Sequence, residues 1–348
     1  MTDHHYTLPA EWEPQAGVQL TWPHEDTDWQ PYLKEITQTF VEIAQAVAQH
    51  EPLLIAARNT EAVRLLLEER LTEAEMLNVH LFACDNDDTW ARDHAFITLT
   101  AKGAPARLAD FCFNGWGEKF AASKDNALNR KLYDAGAFNG TYVDENNFVL
   151  EGGSIESDGR GTILTRSQCL LAPHRNQPLT RQEIEERLKA SLGADRVLWV
   201  DHGNLVGDDT DGHIDTIVRM APNDTLLYIA PTLPNDEQYA DFKALEDQLR
   251  TLRTAEGKPY RLLPLPMNDA IVYDDERLPA TYANFLVING AVIVPTYGQA
   301  ENDEAAKRII AEAFPEHDII GIDASIIIRQ HGSIHCLTMQ YPKGSLAF

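Results

Sequence analysis

Cysteine is scarce in this chain: Cys84, Cys112, Cys169 and Cys336 are the four thiols in 348 residues, and no two form a CxxC pair. That excludes a disulfide-stapled scaffold and the paired-thiolate spacing of a structural zinc site. Basic residues are few as well, 29 against 54 acidic ones, for a formal net charge of −25. Such a field repels a phosphate backbone, so no nucleic-acid partner is expected; it suits a small cation, and it also serves plain solubility. No apolar run is long enough to span a bilayer, and Met1 to Pro9 lacks a basic start followed by an apolar core. The expectation is a cytoplasmic protein with no membrane partner.

The apolar share of 44% is enough for a large core, and no linker interrupts the chain, so residues 1–348 are read as a single domain. Helical periodicity is clear at Ile36, Phe40, Ile43 and Val47, ahead of the apolar run Leu53-Leu54-Ile55. The same helix-then-strand order recurs four times. Ser123 through Leu132 precedes Phe148-Val149-Leu150. A helix opening at Thr180, with Glu183 in capping-box position and Gly193 as its stop, precedes Val197 to Val200. Tyr239 to Leu249 precedes Leu262-Leu263, and Ile309 to Phe314 precedes Ile319-Ile320. The five helices begin near Pro31, Ser123, Thr180, Glu237 and Glu301, and the long first interval holds one more helix, Asn59 to Arg70. Ala283 to Asn289 and Ala291 to Thr296 form a hairpin around Asn289-Gly290. This is the signature of an α/β repeat protein.

Chemistry-bearing residues keep the same beat. Asp93, Glu151 and His213 recur about every sixty residues, and Cys336 follows after about two periods. Radial repeats bring equivalent strand ends to one axis, so such residues converge on a central cavity. The unit without one contributes Asp274-Asp275 or Tyr282-Ala283-Asn284, read as wall.

A thiol, an imidazole and three carboxylates are the inventory for holding a guanidinium, attacking its central carbon and hydrolysing the adduct. Cys336, in His331-Gly332-Ser333-Ile334-His335-Cys336, is the nucleophile, and the other three cysteines are left as buried structural thiols. His335 is adjacent and would point the other way on a strand. His213-Ile214-Asp215 alternates as on a strand, putting imidazole and carboxylate on one face, with His213 as general acid and then general base. Asp93 and Asp215 suit the guanidinium fork, Glu151 orients His213 or a further guanidinium nitrogen, and Trp90 and Trp116 offer aromatic faces to a cation. A metal is not expected: the acidic run Asp208 to Gly212 fails as an EF-hand, since Gly207 and Val218 occupy its essential carboxylate positions, and HExxH is absent.

Those segments resemble the agmatine deiminases and bacterial-type peptidylarginine deiminases of the guanidino-group-modifying superfamily. The match runs through Thr89 to Asp93, Phe113 to Gly117, Leu150 to Ile155, Asp208 to Asp215, Tyr282 to Phe285 and Ile334 to Cys336, in order over nearly the whole chain. The resemblance implies a five-bladed α/β propeller of ββαβ-type repeats with pseudo-fivefold symmetry. It also implies hydrolysis of agmatine to N-carbamoylputrescine and ammonia through an amidino-thioether on Cys336, with Asp93 and Asp215 on the guanidinium, His213 and Glu151 handling protons, and no cofactor. Asp209 matches an acidic position of the family and would face the distal amine. The chain departs from the usual agmatine deiminase pattern at His94-Ala95-Phe96, Thr216 and Gly332-Ser333, so peptidyl arginine or free arginine stays open as substrate. A non-catalytic cation-binding propeller, indifferent to alkylation of Cys336, and a metal-dependent amidinohydrolase, sensitive to chelators, are the readings from other classes. A homodimer is the default assembly.

Overall fold

The computed structural model describes residues 4–348. Met1 to Asp3, the start of the segment read above for a leader, lie outside them.

Five sheets share one topology, an antiparallel pair followed by a parallel partner reached through a helix. Ile97–Leu99 pairs antiparallel with Ala106–Cys112, which pairs parallel with Gly140–Val149. The same holds for Ile155–Ser157, Thr162–Arg166 and Arg196–Val200. It holds for Val218–Ala221, Thr225–Ile229 and Arg261–Leu265, and again for Leu286–Ile288, Ala291–Thr296 and Asp318–Asp323. In the remaining sheet the antiparallel partner of Gln15–Thr21 is Thr338–Pro342 from the far end of the chain, so that unit is completed only when the termini meet. Leu53–Ala57 and then Val79–Ala83 extend it in parallel.

The connecting helices are Leu33–Ala48, Leu128–Asp134, Arg181–Leu192, Tyr239–Thr251 and Ala300–Ala313. Arg181–Leu192 is bounded as its sequence demands: Thr180 and Glu183 close a reciprocal capping box, a device worth about 1 kcal/mol, and Gly193 ends the helix at φ 61. Its buried stripe is Ile184, Leu188 and Leu192. The extra helix is Thr60–Glu68, capped by the Asn59 side chain. The hairpin turn lies where expected, with Ile288 opposite Ala291 and Gly290 at φ 75, a conformation open to glycine at no steric cost.

The second unit departs from expectation. Ser123 to Ala127 is a run of turns, and the helix starts only at Leu128. Side chains hold the turns in place: Asp125 accepts N–H bonds from Asp87 and Asp88, and Asn126 accepts one from Phe113. Asx side chains that satisfy distant backbone donors are lost to the helix that periodicity promises. Ala300–Ala313 lies against Arg261–Leu265 of the preceding unit, Tyr239–Thr251 against Arg196–Val200, and Leu33–Ala48 against Asp318–Asp323. No helix among the described residues is long and apolar enough to cross a membrane.

Candidate active site

One structural position recurs in all five units: the short segment that leads into the first strand. Asp93 lies in Ala91–His94, before Ile97–Leu99. Glu151 precedes the turn Gly152–Ser154 and strand Ile155–Ser157. His213 and Asp215 lie at the turn Ile214–Thr216, before Val218–Ala221. Asn284 precedes Leu286–Ile288, and Cys336 precedes Thr338–Pro342. Two expectations about local geometry are thereby corrected. His213-Ile214-Asp215 is a 3-10 turn and not a strand, and His335-Cys336 lies in a turn just ahead of its strand. The period-two argument fails because these residues sit where the chain bends into the sheet.

The fifth unit contributes Asn284, whose Oδ1 accepts the Cys336 N–H at 3.2 Å and whose Nδ2 donates to the Asp215 carbonyl at 3.4 Å. Asp274-Asp275, the alternative from sequence, form the exposed turn of a small hairpin, Val272–Tyr273 with Glu276–Arg277.

Around Cys336 the polar groups are buried and only half satisfied. Asp93 accepts from the Gly153 N–H through Oδ1 (3.0 Å) and from Trp116 Nε1 through Oδ2 (2.9 Å). Trp116 is therefore tied to a carboxylate as well as offering its ring. His213 Nδ1 lies 3.7 Å from Asp93 Oδ1, and neither ring nitrogen has a hydrogen-bond partner. Asp215 is held at Oδ2 by His335 Nδ1 (2.7 Å), leaving Oδ1 without a partner. Glu151 is held at Oε1 by Arg175 Nε (2.9 Å), leaving Oε2 without one. Arg175, missed from sequence, also bonds Asp211 and the Thr210 carbonyl, pinning the loop ahead of His213. Buried polar atoms are normally paired, so three side chains with free atoms in one site mark a place built for a polar guest.

Charge in the site is poised by burial and by these neighbours. Burial pushes the Cys336 thiol well above its usual range, and the Asp215 and Asp93 carboxylates push it further. Burial works against a charged His213, but the Asp93 carboxylate, with Cys169 and Glu151, more than offsets it and holds the imidazolium well above the usual histidine range. Both shifts favour the protonated form, a thiol on Cys336 and an imidazolium on His213.

A cavity of about 130 Å³ opens onto Cys336 and is lined by Asp93, Trp90, Trp116 and Asp209, all singled out from sequence. Asp28, Asp88, Phe120 and His331 stand in its outer wall, with Thr210, Gln330 and Gly332. Burial raises Asp88 to about 7 and Asp209 to about 6, the latter also through Asp208. Lys119, paired with Asp211 at 2.9 Å and bonded to the Asp209 carbonyl, ties two loops together beside this mouth. Among the described residues lining the cavity none is Lys or Arg. His213, Glu151 and Asp215 lie behind it, fully buried.

Two clusters bring potential metal ligands within 4.8 Å of one another, Glu151 with Cys169 and His213, and Glu11 with Glu156 and His335. Each is already charge-compensated by a guanidinium, Arg175 on Glu151 and Arg219 on both Glu11 and Glu156. A divalent cation there would face a buried cation at short range, so both fit better as ion-pair networks.

The family model for Porphyromonas-type peptidyl-arginine deiminase matches residues 7–342. An agmatine deiminase of Stutzerimonas stutzeri is 32% identical, over 97% of this chain and 95% of that protein. Among solved structures, the Porphyromonas gingivalis "Putative Arginine Deiminase" is similar at 47% identity and a TM-score of 0.92, covering 98% of this chain and 99% of that one. A C. jejuni agmatine deiminase with substrate bound, carrying a cysteine-to-serine change, is 36% identical with a TM-score of 0.89, covering 99% and 98%.

Proposed function

The chain belongs to the Porphyromonas-type peptidyl-arginine deiminase family, and from that premise we propose that it hydrolyses agmatine to N-carbamoylputrescine and ammonia. The observation that carries the reading is a pair of unpartnered, buried acceptors, Asp215 Oδ1 on a carboxylate that acts on Cys336 and Glu151 Oε2 on one close to His213, with Asp93 beside His213 as a third carboxylate. A planar guanidinium supplies the donors they lack, in the fork geometry a carboxylate accepts best. The five sheets are read as blades of a five-bladed α/β propeller, supported by helices that lean on neighbouring units and by terminal strands that share a sheet. The whole chain is then one domain whose five strand-entry segments ring the site.

Proton bookkeeping follows from the resting charges. A guanidinium between Asp93 and Asp215 neutralises the two carboxylates that hold the Cys336 thiol up, so binding favours loss of its proton to solvent. The thiolate attacks the guanidinium carbon. His213, resting as imidazolium, gives its proton to the departing nitrogen, and ammonia leaves an amidino-thioether. Neutral His213 then takes a proton from water as hydroxide adds to the same carbon; the adduct collapses by breaking its C–S bond, and its hydroxyl proton goes to the departing Cys336 sulfur, which leaves the ureido product, the thiol and the imidazolium. Glu151, anchored by Arg175, holds the imidazole or a guanidinium nitrogen at its free oxygen. Asn284 fixes the backbone of the cysteine loop.

The substrate choice rests on the outer wall. Agmatine carries a second cation, and Asp209, Asp88 and Asp28 line the cavity where its tail would extend, together with the Trp90 and Trp116 rings, which meet edge to face. Free arginine brings a carboxylate to the same place and meets acids without a lysine or arginine among the lining residues. Asp209→Asn is expected to raise KM for agmatine about tenfold with kcat little changed, the pattern of lost ground-state binding. An alkylguanidine with a neutral tail should not notice the change. Carboxylates raised to about 7 and about 6 lose their charge as pH falls through those values, so KM for agmatine should climb from pH 8 to pH 5.5. A flat KM over that interval, or equal sensitivity of the neutral-tailed analogue, would remove Asp209 from the amine site. Acid quench of a single turnover, followed by mass spectrometry, should find an amidino adduct on the peptide containing Cys336. An unmodified Cys336 throughout turnover would refute covalent catalysis.

A further inference from the structure

Behind the site, on the side away from the substrate cavity, a second buried constellation is left over by the chemistry above. Glu11, in the segment ahead of Gln15–Thr21, reaches His335 Nε2 with Oε2 at 2.8 Å and accepts from Arg219 Nη2 at 2.6 Å, while its Oε1 accepts the Val287 N–H at 2.7 Å. Arg219 also donates to Glu156 (2.7 Å) and to the Ala283 and Phe285 carbonyls. His335 is nearly fully buried and its backbone is fixed from both sides, by the Asn284 carbonyl and by the Arg92 guanidinium. A carboxylate only accepts, so the proton in the contact with Asp215 is on His335 Nδ1.

We propose that His335 and Glu11 are positioning residues for the reaction: His335 clamps Asp215 Oδ2 so that Oδ1 alone faces the substrate, and Glu11 clamps His335. The inference rests on the role of Asp215 in the reading above. Neither residue touches the cavity that holds Cys336. Asp215 is fully buried and would gain by protonating or turning if it were released, because an unpaired carboxylate in such a place is costly. The charged and titratable groups around it are His213 on its own turn, Asp93 and Arg92 on Ala91–His94, Arg219 on Val218–Ala221, and His335 and Cys336 on the cysteine loop. Burial pushes Asp215 up, and His335, more than His213 or Arg219, brings it below its usual range. The same burial pushes Glu11 up, and Arg219 and His335 more than offset it.

The test uses alkylation of Cys336, which does not depend on identifying the substrate. Chloroacetamidine presents a planar cation to the carboxylates, and neutral chloroacetamide does not, so the ratio of their rates reads the carboxylate clamp. That ratio should fall in steps as pH drops, first with Asp88 and Asp209, raised to about 7 and about 6, and last with Asp215, held below the usual carboxylate range; the last step is the limb that reads the clamp. Removing the His335 donor lets Asp215 rise, and the charged form is then lost at higher pH. His335→Ala is expected to move this acid limb up by about one pH unit or more, Glu11→Gln to move it the same way by less, and His335→Asn, which restores a donor near the Nδ1 position, to bring it back. A purely structural brace would lower all rates evenly and leave the limb in place. An unmoved limb in the near-isosteric Glu11→Gln variant, or a wild-type protein that shows no preference for the cation, overturns the proposal. A wild-type protein that prefers the cation but releases no ammonia from agmatine would sink the substrate reading and leave this one standing.

Discussion

Cys336→Ser is expected to stop turnover, by on the order of 10⁴-fold or more, while the variant still binds agmatine. Serine at this position faces the same burial and the same two carboxylates that hold the thiol up. An alcohol starts from a far less acidic proton than a thiol, so neutralising Asp93 and Asp215 with substrate does not populate its anion. No shape is lost, because the contacts of the loop run through backbone: the 336 N–H to Asn284 and the 336 carbonyl to the Arg92 N–H. Equilibrium binding of agmatine by calorimetry, beside turnover, separates the two effects. A serine variant within tenfold of wild-type kcat would exclude the sulfur as nucleophile.

Gly153→Ala should cost roughly 10²-fold or more in kcat, since displacements near 1 Å are enough for losses of that size. A methyl group there would lie 2.5 Å from His213 Nδ1, 3.0 Å from Asp93 Oδ1 and 3.1 Å from Asp215 Oδ2, three proposed site groups reached by one carbon. Asp93 also accepts the Gly153 N–H, so the backbone cannot retreat without giving up that bond. The glycine is needed for close approach and not for an unusual backbone conformation. Thermal unfolding run alongside shows whether the loss is local. Turnover near wild-type in a folded Gly153→Ala protein would mean that the close approach of Gly153 does not set the positions of these three groups.

Much of this was legible in the chain before any coordinates, and the reasons are local. Thr180 with Glu183, Gly193, and Asn289-Gly290 act within a few residues, and the structure has the cap, the stop and the turn they encode. The beat of Asp93, Glu151, His213 and Cys336 was readable because each falls where a unit's chain enters its first strand. What sequence reasoning missed depends on partners far along the chain. Arg175 on Glu151 and Trp116 on Asp93 join residues 24 and 23 positions apart within one unit, Glu11 lies 324 positions from His335, and no spacing rule connects any of the three. His335 was expected to turn away from Cys336, and it does, but into Asp215 and from a turn instead of a strand. Asn284 was read as wall because an amide carries no titratable signal; its place at the fifth strand entry was the clue available.

The most direct test of the account is ammonia release by the purified protein, measured side by side with agmatine, free arginine and an arginine-containing peptide, with Cys336→Ser as control. The acidic outer wall and the unpartnered buried acceptors predict release from agmatine well above the other two, absent in the serine variant. Release that is fastest from free arginine or from the peptide, or that survives in Cys336→Ser, would contradict it.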